Sequence, residues 1–151
     1  MTHQRLILIA TAGSIALLGG AFLFQLAGYP PCKMCLWQRW PHAAAIFIGA
    51  LCLALKTRML AWLGAIAATI TAAVGFFHAG VEQRWWEGPT TCTSGSTKGL
   101  SVDELLESIL NAPLVRCDEI AWQLAGLSMA GWNAILSLIL ALIWVTAASK
   151  S

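Results

Sequence analysis

Charge is scarce in this chain of 151 residues: only 11% are Asp, Glu, Lys or Arg, against about a quarter in an average soluble domain. Nine Lys and Arg against seven Asp and Glu leave a net +2, so there is no basic field for nucleic acid. Flavin and dinucleotide fingerprints are absent, and so is a haem-attachment CxxCH, which removes the common protein-bound electron carriers. What fills the chain is apolar. Hydrophobic residues make up 58% of it and the mean hydropathy is +0.72. A soluble protein of this size cannot hide so much apolar surface, so soluble, disordered and fibrous classes are excluded. Eight tryptophans in so short a chain suit a membrane interface, where an apolar ring carries one polar tip.

The few charges are segregated. All seven acids lie between Glu82 and Glu119, and none occurs from Ile120 onward. Crossing roughly 30 Å of hydrocarbon takes roughly 20 apolar residues. Four helical spans therefore fit, at about Leu6–Ala27, Leu36–Leu55, Met59–Ala79 and Leu124–Ala147. Helix is required because backbone groups in lipid must be satisfied within the segment. The expected fold is an all-α, four-helix membrane bundle forming one domain over residues 1–151. Gln38, Arg39 and His42 crowd the start of the second span, with Pro41 marking its start or a kink. Tandem Pro30-Pro31 ends the first.

Lys56 and Arg58 sit without an acid in the tight connection between spans two and three, and the N-terminus carries Arg5. By the positive-inside rule these are cytoplasmic. The rule is imperfect here, since five of the nine basic residues fall on the other side. Three of those five lie in the long loop that also holds every acid. Both termini are then expected inside, with loops at about 28–35 and 80–123 outside. The first apolar run is too long for a cleaved signal and is expected to be a signal anchor.

Within the long loop, Ser101 and Glu104 form a capping box that opens an amphipathic helix, Val102–Leu110, suited either to lying on the membrane surface or to packing on the span ends as a loop helix. Thr90–Gly99, rich in Gly, Ser and Thr, is expected to be mobile.

Five cysteines carry the chemistry. Cys52 lies inside span two, where a thiol behaves as a small hydrophobe. Cys32, Cys35, Cys92 and Cys117 lie in the outer loops, on the side where disulfides persist. Cys32-Lys33-Met34-Cys35 is a CxxC at the mouth of span two, where the positive end of the helix dipole favours thiolate. Arg39 follows Cys35 by one helical turn and can hold a thiolate or a carbonyl oxygen. Cys92 and Cys117 can be a structural staple, and all four thiols together can form a zinc site, although only one CxxC knuckle is present. A non-catalytic membrane protein with stapled or metal-bound loops is thus the alternative to an enzyme. For a redox pair at a membrane surface, a lipid-soluble quinone is the natural electron partner. His78 and His42 are secondary candidates. The simplest setting for His78 is water at the interface, and the outer tryptophans are expected to be belt anchors.

Pro31-Cys32-Lys33-Met34-Cys35-Leu36-Trp37-Gln38-Arg39 resembles the P-C-x-x-C-x-x-[Glu/Gln]-Arg segment of the DsbB family, bacterial inner-membrane quinone:disulfide oxidoreductases. Gly126-Leu127-Ser128-Met129-Ala130-Gly131-Trp132 resembles a second stretch of that family. The resemblance implies a protein that reoxidises a periplasmic, thioredoxin-like DsbA oxidant and passes two electrons to ubiquinone or menaquinone. By position, Cys32 and Cys35 resemble the quinone-coupled pair, and Cys92 and Cys117 the pair that exchanges with the partner. Arg39 matches the arginine near the quinone. Lys33 departs from the pattern, placing a charge where apolar residues are common.

Overall fold

The computed structural model describes residues 2–93, 101–103, 106, 110 and 115–149. Four long helices form the body: α1 (His3–Leu26), α2 (Lys33–Leu55), α3 (Ala61–Glu82) and α4 (Met129–Ser149). They pack in a ring, α1 and α3 each touching both α2 and α4. The short α1–α2 and α2–α3 connections make neighbours antiparallel. α1, α3 and α4 are each long and apolar enough to cross a membrane. α2 has the length but carries Gln38, Arg39 and His42; Gln38 and His42 are turned inward and buried.

Lipid tails are as apolar as leucine, so membrane helices are held by close packing of small residues rather than by hydrophobic exclusion. α3 supplies such a surface with Ala61, Gly64, Ala65, Ala68, Thr71 and Gly75. A Cβ on Gly75 would lie 3.0 Å from the Ala134 nitrogen and 3.2 Å from the Ala130 oxygen, so only glycine lets α3 and α4 approach so closely. Gly64 lies against the ring of Trp144, which is fully buried. Leu23, Phe47, Trp62, Ile66, Leu138 and Leu142 face outward, as a lipid-facing surface requires.

Two local expectations are corrected. Of the two roles expected for Pro41, the start of α2 is corrected: the helix begins at Lys33 and runs through the proline. The fourth helix begins at Met129, not Leu124. Before it lies a hairpin of β1 (Gln123–Leu124) and β2 (Leu127–Ser128), paired Leu124 to Leu127. Ala125 (φ 52°) and Gly126 (φ 80°) make its turn, the doubly left-handed geometry that suits two-residue hairpins. The apolar run 124–127 carries no periodicity that separates strand from helix, which is why it reads as the start of a span. The amphipathic helix expected over Val102–Leu110 lies largely outside the described residues, as do residues 94–99 of the segment expected to be mobile.

Candidate functional site

The α2 N-terminus builds the first half of the site. Cys32 is the N-cap, and its sulfur accepts a hydrogen bond from the Cys35 N–H at 3.2 Å, satisfying a donor that helix starts leave bare. The two sulfurs lie 2.9 Å apart, with Cys32 donating to Cys35. That hydrogen bond, with burial behind it, pushes the Cys32 thiol well above the ordinary cysteine range. Cys32 therefore keeps its proton, and Cys35 is the sulfur of the pair free to carry charge.

The second half comes from the long loop. Cys92 ends a turn from Pro89, and Cys117 is joined to it by a disulfide with the Cα atoms 5.4 Å apart; the Cys117 N–H also donates to the Cys92 carbonyl at 2.7 Å. Arg116 and Asp118 flank Cys117 and pair with each other, at 2.6 and 3.1 Å. This holds the Asp118 carboxyl below its usual range. Cys32, Met34, Val81, Cys92 and Cys117 form one buried cluster, with Cys35 packed against it. All four outer cysteines therefore meet at one end of the bundle. Cys52 stands apart, in the apolar core beside Ile7 and Trp144.

Arg39 is held differently from the simple expectation. Its guanidinium donates to Gln25 Oε1 at 2.7 Å and to the Ala21 carbonyl at 3.2 Å, both on α1, and lies over the Phe22 ring at 4.8 Å. It shares with Cys35 the wall of a cavity of about 360 Å³, which Phe24, Trp122 and Trp132 also line. The Arg39 Nε is buried without a hydrogen-bond partner among the described residues. Trp122, expected as a belt anchor, is packed edge-on to Phe24 at this wall, while Trp40 and Trp85 are exposed.

The polar residues that sequence reading undervalued are His78, Gln38 and Asn133. His78 is buried, not in interfacial water. Its Nδ1 accepts from Gln38 Nε2 at 2.9 Å and its Nε2 lies 3.5 Å from the Cys32 sulfur. Gln38 Oε1 accepts in turn from Asn133 Nδ2 at 2.7 Å, and Asn133 Oδ1 accepts from His42 Nε2 at 2.9 Å. Glu82, one turn beyond His78, accepts a hydrogen bond from Ser128 of the hairpin. The available signal was position: an ionisable or amide side chain inside an apolar span faces the bundle and finds a partner there.

A four-thiolate metal site requires Cys92 and Cys117 as separate ligands, and here they are bonded to each other. Cys32, Cys35 and His78 do place their ligand atoms within 4.8 Å of one another. His78 can ligate through Nε2 only by giving up the Nε2–H that its bond from Gln38 implies.

A thiol pair at a helix mouth, a disulfide packed on it and a largely apolar cavity thus stand together at one end of the bundle. The family model for "Disulfide bond formation protein DsbB" matches residues 3–147. The chain belongs to the DsbB family. It is a multi-pass inner-membrane oxidoreductase of disulfide bond formation, and a quinone is the family's electron acceptor. Among its relatives, a Disulfide bond formation protein B of Acidovorax sp. is 27% identical over 156 residues, covering 93% of this chain and 84% of the relative. An uncharacterized protein of Rickettsia prowazekii is 25% identical over 143 residues, covering 91% and 83%. Disulfide bond formation protein B 2 of Pseudomonas aeruginosa is 25% identical over 135 residues, covering 85% and 79%. No solved structure matches the chain significantly.

Proposed function

We propose that Cys92–Cys117 takes electrons from a periplasmic DsbA-like dithiol and hands them to Cys32–Cys35, which delivers them to ubiquinone or menaquinone beside Arg39. In this reading α2 is the fourth membrane span, both termini are cytoplasmic, and the four outer cysteines face the periplasm. What carries it is the clustering of both cysteine pairs at one bundle end, against a cavity whose wall includes Cys35 and Arg39.

The cavity suits the cofactor. Its wall is largely apolar and aromatic, and the buried Arg39 Nε is a donor with no partner among the described residues, free to serve a carbonyl oxygen. A bound quinone supplies a two-electron, two-proton acceptor. The protein's own contribution is sulfur chemistry and positioning. Exchange runs by thiolate attack on a disulfide sulfur, so each transfer needs two sulfurs in direct approach. In the first, the partner's thiolate attacks Cys92 and the electron pair leaves on Cys117. A second partner thiol then releases the oxidised partner and leaves Cys92 and Cys117 reduced. The Cys117 thiolate attacks Cys32 of an oxidised Cys32–Cys35 pair, and the electron pair leaves on Cys35. Finally Cys92 attacks Cys117, the interloop bond breaks, and the pair of electrons leaves on Cys32. Two electrons have then moved from the partner to the CxxC. Arg39, anchored to α1, stands on the wall of the cavity.

The test uses two variants with the DsbA-like partner and purified protein in detergent. Cys117→Ser is expected to trap a covalent Cys92–partner complex. Cys35→Ser is expected to let the partner reduce Cys92–Cys117 once, without turnover to quinone. Steady quinone reduction by Cys35→Ser, or by Cys92→Ser, overturns the relay.

A further inference from the structure

The last step of that relay releases a thiolate on Cys32, a buried sulfur. Two donors face it. One is the Cys35 N–H, at 3.2 Å. The other is His78, whose Nε2 lies 3.5 Å away. What His78 can do depends on which ring nitrogen carries the proton, and the surrounding network decides it.

The polarity is assigned from the far end. Asn133 Oδ1 faces His42 Nε2 and the Ser137 hydroxyl, so its amide nitrogen points to Gln38. Gln38 must accept there through Oε1, which leaves both amide hydrogens to donate. One goes to the Met34 carbonyl at 3.2 Å and the other to His78 Nδ1 at 2.9 Å. A neutral imidazole that accepts at Nδ1 carries its hydrogen on Nε2, so His78 presents an N–H toward the Cys32 sulfur. This is the reverse of a cysteine–histidine pair in which the ring removes the thiol proton.

We propose that His78 is a catalytic residue of the relay: held as its Nε2–H tautomer by Gln38, it donates to the Cys32 sulfur and stabilises the thiolate released there. The proposal rests on the relay for its place in the reaction, but its chemistry is local to Cys32. When Cys92 attacks Cys117, the Cys92–Cys117 bond forms, the Cys32–Cys117 bond breaks, and the electron pair arrives on the sulfur that His78 faces. No proton needs to move in that step. The titratable groups facing His78 are Cys32 and Cys35 from the start of α2 and Glu82 from its own helix, with Nε2 3.9 Å from Glu82 Oε1.

The experiment measures the pH profile of Cys32 alkylation by iodoacetamide in a Cys35→Ala protein with Cys92–Cys117 kept oxidised. Cys32 is then the thiol that titrates beside His78. Adding His78→Phe is expected to raise the midpoint by about one pH unit, making alkylation about tenfold slower below it, the lower end for a hydrogen bond to a charged group. His78→Gln, which retains an N–H but cannot titrate, is expected to recover part of the shift; a merely structural histidine would leave Gln and Phe alike. Should His78→Phe fail to fold, Gln38→Met carries the test. It leaves the ring in place but removes the donor to Nδ1, and the midpoint is expected to rise. A profile unchanged by His78→Phe, or by Gln38→Met where that variant stands in, overturns the proposal. The readout contains no quinone and no partner, so failure of the relay and failure of this assignment are distinguishable.

Discussion

Gln25 is expected to matter to quinone use although it is neither charged nor near a sulfur. It is the stronger of two anchors that hold the Arg39 guanidinium on α1, at 2.7 Å against 3.2 Å for the Ala21 carbonyl. Replacing it with Leu leaves the second anchor and the Phe22 ring in place, so Arg39 loosens rather than leaves. A hydrogen bond to a charged group is worth about 1.5–3 kcal/mol. This one is solvent-exposed, and screening reduces it to about 1 kcal/mol. That corresponds to about a fivefold rise in KM for quinone, with partner-side disulfide exchange unchanged. Arg39→Ala removes the donor itself and is expected to cost about 10–150-fold in kcat/KM. Arg39→Lys should recover only part, because an ammonium lacks the planar fork. The assay is steady-state reduction of a short-chain ubiquinone in detergent, with single-turnover reduction of Cys92–Cys117 as the control. A folded Arg39→Ala protein with wild-type quinone kinetics refutes the role of the arginine. A Gln25→Leu protein with wild-type KM beside an impaired Arg39→Ala refutes the anchoring argument alone.

Gly75→Val should push α3 from α4, because the atoms it meets are backbone and cannot rotate away; a loss of about 1–3 kcal/mol is expected, read as a lower unfolding midpoint in detergent. Reporter fusions at Lys56 and Ser96 should fall on opposite sides of the membrane, and the same side for both would remove the four-span reading. Asp118 is held below its usual range by Arg116. Its stabilisation of the loop at Cys117 should therefore be present above about pH 4, the unfolded carboxylate value, and be lost as pH falls through the lower folded value. Arg116→Ala should abolish that dependence in the rate of Cys92–Cys117 reduction.

The chemistry-bearing cysteines and the apolar runs were legible because each is a local signal. The CxxC stands at a helix start, and three of the four helices satisfy a simple length-and-hydropathy rule. The setting of Arg39 was half legible. One-turn spacing places it on the Cys35 side of α2, but its anchors lie on α1, and no spacing within one helix reports on another. His78 was misjudged for the same reason. Its place at the end of an apolar run suggests water, while burial there is decided by Gln38, 40 residues away, and by the loop carrying Cys117. The 123–128 hairpin was lost to hydropathy, since its four strand residues include two leucines that extend the run of α4.

Asn133 ties the bundle together late in the life of the chain. His42 Nε2 finds Asn133 and Ser137, which lie 91 and 95 residues further along, and its other ring nitrogen has no hydrogen-bond partner among the described residues. At about 5–20 residues per second of synthesis, roughly 5–20 s separate the emergence of His42 from that of Asn133. Throughout that interval the imidazole must be served by water, headgroups or the insertion machinery, because a bare polar ring in hydrocarbon is strongly disfavoured. The polar centre of the bundle is therefore closed by its last helix rather than its first.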